Sequence, residues 1–385
     1  MVNNIVPPGF NHNMIPRVLI FPAGFLRRCI PAAVLLATFA PLAWSAAEDA
    51  SWGRLITSAA IVCNPSTHKI YAVNEGTGSV TIIDAATGAM HAVQVGREPI
   101  AIAINSTTNR IYIANDGSAS VSVIDGTNDT VIATVTSAPL PYTLAVDETT
   151  NTIYVTHTYS GSVTVIDGIS NTARELKVGD ADSIALDPRT GTVFLSTYED
   201  PSIRFVDEAT GAVTKASVGP HVWGMVFDQP SGTLFLTHTA SAGIVALDEK
   251  THAVRTLPVG RIPCALAVDP VTRRLYVVNY GDKTLSILDL QTRKTIATLP
   301  VGLHPQGLAV DSKSNRIYVA NVQGNSVTVI DGASNAVVGV RNAGSHPYAV
   351  AVDQSSGHAY AANYGAPWVT PLPDAPQSIP SSPIK

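Results

Sequence analysis

Apolar and polar residues alternate along most of this chain in short runs, most clearly at residues 316–331, RIYVANVQGNSVTVID. Alternation over five or six residues rich in Val, Ile, Tyr and Thr predicts strands at 317–321 and 326–331, joined by a small polar turn. The closing aspartate opens a second turn at 332–335. Weaker copies stand at 69–84, 110–125, 152–167, 192–207, 233–248 and 274–289. Their last residues, Asp84, Asp125, Asp167, Asp207, Asp248, Asp289 and Asp331, lie 41, 42, 40, 41, 41 and 42 apart. A fixed period of that length marks one supersecondary unit stacked many times.

Each repeat holds four strand-like pieces, for example 307–311, 317–321, 326–331 and 336–340. The first ends in Asn or Asp, and four positions earlier stand Ala60, Ala101, Thr143, Ser183, Gly224, Ala265, Gly307 and Ala349. Two positions earlier the residues are again Ala or Val, while Ile102, Leu144, Met225 and Leu308 lie between. Side chains alternate across a strand, so one face of every first strand is small. Small faces are expected where strands crowd around a common axis, as in the taper of a propeller. The turn that follows carries Asn or Asp first and Ser or Thr three residues on, which is hairpin chemistry.

The predicted fold is all-β: a single β-propeller of four-stranded blades of about 41 residues, with eight blades preferred to seven. Eight pairs of first and second strands support the larger number, although only seven third strands end in Asp. Closure of the ring is expected to draw an outer strand for the last blade from residues 51–55. The propeller should span 51–372, with the last repeat running through 368–370 into a Pro-rich disordered tail, 373–385.

The segments IYIAN (111–115), IYVTH (153–157), LYVVN (275–279) and IYVAN (317–321) give the repeat a specific signature. Each is followed by a third strand of alternating Ser/Thr and Val/Ile/Leu that ends in Asp, and V-G-x-x-P recurs at 95–99, 259–263 and 301–305. Over about residues 58–363 the chain resembles the YVTN-repeat β-propeller family. That resemblance implies an exported or cell-surface propeller, acting chiefly as a binding or scaffolding module without a shared catalytic motif. Phe194 and Phe235 depart from it at the strand tyrosine, and Thr197, His157 and His238 at the asparagine.

Residues 1–47 contain no acidic residue; Arg27 and Arg28 precede an apolar run to Ala43, and Ser45, Ala46 and Ala47 follow. This pattern reads as an export signal, which places the mature chain in the periplasm or outside the cell with no remaining anchor. Removing Arg17, Arg27 and Arg28 from 24 basic residues leaves 21 against 29 acidic, a net charge of −8. Such a balance argues against nucleic acid as a partner. Cys63 and Cys264 occupy equivalent strands of distant repeats, so two buried free thiols are expected rather than a disulfide.

No Walker loop, H-E-x-x-H, G-x-S-x-G or C-x-x-C is present, and no catalytic residue, metal ligand or cofactor is assigned. The histidines carry more information. His221, His304 and His346 stand seven before the first-strand Asp, in the loop leading to the innermost strand. His157 and His238 cap second strands, on the same face. With Trp223, these are the candidate ligand-binding residues at the channel mouth, where His221, Trp223 and His238 should be neighbours. Their other reading is structural, as turn residues and replacements for an asparagine. The preferred function is a monomeric, non-enzymatic propeller that binds a protein, peptide or envelope component on this face. The alternatives are a metal-assisted lactone hydrolase or lyase using His221, His238 and Glu98, and a redox accessory to a haem or copper protein.

Overall fold

The computed structural model describes residues 60–365 and 368–372. The leader at 1–47, the closing strand expected at 51–55 and the tail at 373–385 lie outside the described residues. The chain forms one eight-bladed β-propeller. Each sheet is an antiparallel meander in chain order, and among the described residues seven sheets have four strands and the eighth has three. The first blade is Ile61–Asn64, Lys69–Asn74, Ser79–Asp84 and Met90–Gln94. The seventh is Pro305–Asp311, Arg316–Asn321, Ser326–Asp331 and Ala336–Asn342. The last is Pro347–Asp353, His358–Asn363 and Val369–Leu372, so its third strand runs two residues past Thr370. Pro371 pairs with Tyr360 there.

The inner strands pack side by side around the ring, and Pro347–Asp353 meets Ile61–Asn64 to close it. Their small face points at the next blade. A Cβ on Gly307 would lie 2.3 Å from the Tyr348 carbonyl oxygen and 2.9 Å from Ala349 Cα. The second strands supply the core between blades, where Tyr71, Tyr112, Tyr154 and Tyr276 and their replacements Phe194 and Phe235 are fully buried.

Hairpin chemistry follows the sequence reading: Asp269 Oδ1 accepts from the Thr272 amide at 3.4 Å and its Oδ2 from the Thr272 hydroxyl at 2.7 Å. The first-strand Asn and Asp do a second job as well. Asn64 Nδ2 donates to Asn109 Oδ1 of the next blade at 2.6 Å, and Asn105 Nδ2 donates to Asn151 Oδ1 at 2.7 Å. Arg273 donates to both carboxylate oxygens of Asp228 at 2.6 Å, again across a blade boundary. In each pair the turn residue sits at the same repeat position with left-handed backbone, φ 53° at Asn109, 55° at Asn151 and 55° at Arg273. Asparagine tolerates that region better than most residues.

Among the described residues the two cysteines, Cys63 and Cys264, are free; Cys264 is buried, but Cys63 is half-buried rather than buried. Burial raises each thiol pKa to about 12, with Asp353 adding to the effect at Cys63.

Candidate binding site at the channel mouth

The loops that lead into the inner strands share one face with the loops between second and third strands. Backbone hydrogen bonds tie them together: Thr239 N donates to His221 O at 3.2 Å, Val322 N to His304 O at 3.0 Å and Tyr364 N to His346 O at 3.2 Å. His221, His304 and His346 each adopt positive φ, 66°, 50° and 55°, as do Glu98, Leu140 and Ile262 at the same repeat position. The chain needs a left-handed residue here, so the backbone role is structural whichever side chain is present. The side chains then differ in what they meet.

His157 does the work of the asparagine it replaces. Asn321 donates to Ser326 and Thr328 at 3.2 and 3.0 Å, and its Oδ1 accepts from Gly302 N at 2.9 Å. His157 is fully buried, donates from Nδ1 to Pro139 O at 3.1 Å and accepts at Nε2 from Thr164 at 2.8 Å. Burial lowers its pKa to about 4, against the opposing pull of the Pro139 carbonyl. It is a clamp inside the third blade and does not reach the mouth.

His238 is similarly buried and donates from Nδ1 to Pro220 O at 3.0 Å. Val245 stands where Thr164 stands in the third blade, so Nε2 of His238 has no hydrogen-bond partner among the described residues. Burial depresses this pKa too, and the nearby His221 adds to the shift.

His221 and Trp223 reach the surface as expected, both half-buried, and Tyr198 of the fourth blade joins them. The Tyr198 ring is 4.9 Å from that of His221, tilted by 40°, and 5.8 Å from Trp223, edge-on at 84°. The Tyr198 hydroxyl lies 3.1 Å from Thr239 Oγ1, and its amide donates to Asp182 Oδ2 at 2.9 Å. Burial raises the Asp182 pKa, partly offset by the Tyr198 amide. This cluster combines an imidazole, two aromatic rings, a hydroxyl and a carboxyl within one blade junction.

His304 belongs to a second copy of the same pairing: Tyr280 is 4.9 Å away at 42°, with its hydroxyl 3.2 Å from His304 Nδ1. His346 is held by Ser345 Oγ at 2.8 Å, and its amide donates to Asn325 at 2.8 Å. Farther round the mouth Tyr348 and Tyr364 stack at 4.2 Å. Burial raises both hydroxyl pKa values, with Glu75 nearby reinforcing the effect and Tyr142 adding to it at Tyr364. Glu75, Asp182 and Thr239 were not legible as site residues. The available signal was positional, since Tyr142, Asp182, Trp223 and Tyr348 all stand five before the first-strand Asp.

Glu98 is exposed and lies over Gly117 in the second blade, whereas His221 and His238 belong to the fifth. Among the described residues no three His, Cys, Asp or Glu side chains are placed to hold one metal ion. The triad of the metal-assisted alternative is therefore not assembled.

No family model matches the chain, and no curated protein matches it. Solved structures do. Hydrazine synthase of Kuenenia stuttgartiensis is 21% identical with a TM-score of 0.60, over 71% of this chain and 95% of that one. Dihydro-heme d1 dehydrogenase NirN in complex with DHE is 14% identical with a TM-score of 0.67, over 80% of this chain and 74% of that one. At these identities the likeness shows the fold, and the class it defines is the β-propeller.

Proposed function

We infer that this chain is an exported, YVTN-like propeller without catalytic chemistry of its own, acting in the periplasm or outside the cell. It holds a protein, peptide or envelope ligand on the loop face around the channel mouth. The observation that carries this reading is the half-buried Tyr198–His221–Trp223 cluster, set where two sets of loops converge. Rigid aromatic side chains offer large contact area at low entropic cost, which suits recognition. Residues 1–47 support export, and among the described residues no helix is long and apolar enough to cross a membrane.

The test is a peptide selection on the intact protein, followed by titration of the selected peptides, carrying a fluorescent label, by fluorescence anisotropy. Binding should be lost in His221→Ala/Trp223→Ala, with fold retained by circular dichroism. Peptides that bind the double variant as tightly would overturn the reading. The fold neighbour NirN is described in complex with DHE, so a haemin titration of the same two proteins separates a flat-ring ligand from a peptide.

A further inference from the structure

A cavity of about 310 Å³ lies between the fourth and fifth blades, on the face opposite His221, His304 and His346, and its walls include Thr192, Phe205, Thr214, Glu249 and His252. The repeat itself explains why it is there. Glu249 follows the third-strand Asp248 as Glu208 follows Asp207 one blade earlier. Between the third and fourth blades, Glu208 is answered by Arg174, whose Nη2 lies 3.6 Å from its Oε1, with the Tyr154 hydroxyl close by. At the next boundary the tyrosine position is Phe194, which has no hydroxyl, and the position of Arg174 is Thr214.

Glu249 is left only 8% exposed, with Thr190 Oγ1 donating to its Oε1 at 3.0 Å. Its Oε2 is buried and has no hydrogen-bond partner among the described residues. A buried carboxylate oxygen without a donor is costly, whereas a charge-assisted pair is among the strongest polar contacts. At other boundaries a basic side chain reaches across to the neighbouring blade. Lys69 bonds Asp129 at 2.8 Å between the first and second blades, Arg293 bonds Thr233 at 3.2 Å between the fifth and sixth, and Arg274 bonds Asn335 at 3.0 Å between the sixth and seventh. Thr192 occupies the strand position of Lys69 and Arg274. His252 is stacked on Phe205 at 4.3 Å and walls the cavity. Lys250 is exposed at its rim.

We propose that this cavity is a binding site for a guanidinium group, which takes the place that Arg174 fills one blade earlier and pairs with Glu249. The group belongs either to a small free molecule or to an arginine side chain of a polypeptide. A carboxylate and a guanidinium match in planar, two-pronged geometry, which an ammonium does not reproduce.

The experiment is calorimetric titration of the full chain with methylguanidinium, methylammonium and the tripeptide Gly-Arg-Gly. Saturable methylguanidinium binding is expected in the millimolar range, with methylammonium clearly weaker. Glu249→Gln should weaken it by about tenfold or more. Thr214→Arg should abolish binding and raise the thermal midpoint, because the new side chain fills the site from within. Phe194→Tyr, which offers Glu249 a hydroxyl, should weaken binding and keep the fold, so the test survives a poorly folding Glu249 variant. A tighter tripeptide points to a polypeptide source, and equal affinities point to a small molecule. Absence of saturable binding, equal affinity for methylammonium, or unchanged binding in both Thr214→Arg and Glu249→Gln would overturn the proposal.

Discussion

His68 of the first blade donates from Nδ1 to Asp353 Oδ1 of the last at 3.1 Å, repeating across the ring's seam the contact that Asn64 makes with Asn109. The seam uses the same linkage as the interior of the ring, so closure is one more instance of the repeat. Asp353 also accepts from the hydroxyls of Ser355 and Ser356 at 2.9 and 2.7 Å. Burial pushes its carboxyl up, but these bonds, together with the Ser355 amide and His68, outweigh it and hold the pKa at about 2. A depressed carboxylate stabilises the fold above its ordinary pKa near 3.8 and loses that contribution as pH falls toward 2. Asp353→Asn should therefore cost about 2 kcal/mol at pH 6, and the gap to wild type should close by pH 2. Urea unfolding across that range measures it; a gap independent of pH would refute the assignment.

Gly307→Ala places a methyl group 2.3 Å from the Tyr348 carbonyl, a backbone atom that cannot swing away. Gly224→Ala meets Cys264 O and Thr237 Oγ1 only at 3.3 Å. Overpacking of this kind costs about 1–3 kcal/mol, and we expect Gly307→Ala at the top of that range and Gly224→Ala at the bottom. Chemical denaturation of the two variants checks the order.

Val245→Thr restores the hydroxyl that His157 finds in Thr164 and His238 lacks. Valine and threonine have nearly the same shape, so the hydroxyl is the main change. A gain of about 0.5–1.5 kcal/mol is expected from satisfying Nε2. A loss of stability would show that the new hydroxyl does not reach it.

Cys63 and Cys264 should stay unmodified when the folded protein is exposed to iodoacetamide at pH 8, because burial keeps both thiols protonated with pKa about 12. Both should react after unfolding, as read by mass spectrometry.

The period, the small inner face and the hairpin turns were legible because each is set within one repeat, by strand alternation and by short-range side-chain to backbone bonds. The second role of the first-strand Asn and Asp was not, since Asn64 and Asn109 are brought together only by the stacking of blades. The repeat positions of the histidines pointed to one face, but position alone could not separate His157 at the end of a second strand, consumed by Thr164 and Pro139, from His221 in the loop before an inner strand, which meets two rings. The cavity between the fourth and fifth blades likewise follows from what Phe194 and Thr214 fail to supply, which becomes visible only beside Tyr154 and Arg174.

The central claim is that the mouth around Tyr198, His221 and Trp223 binds a ligand. Fluorescence-anisotropy titration of labelled selected peptides with wild type, His221→Ala/Trp223→Ala and the opposite-face control Lys313→Ala tests it most directly. The account predicts affinity at least about tenfold weaker in the double variant, about 1.4 kcal/mol, and unchanged in the control. Equal affinity in all three proteins would contradict it.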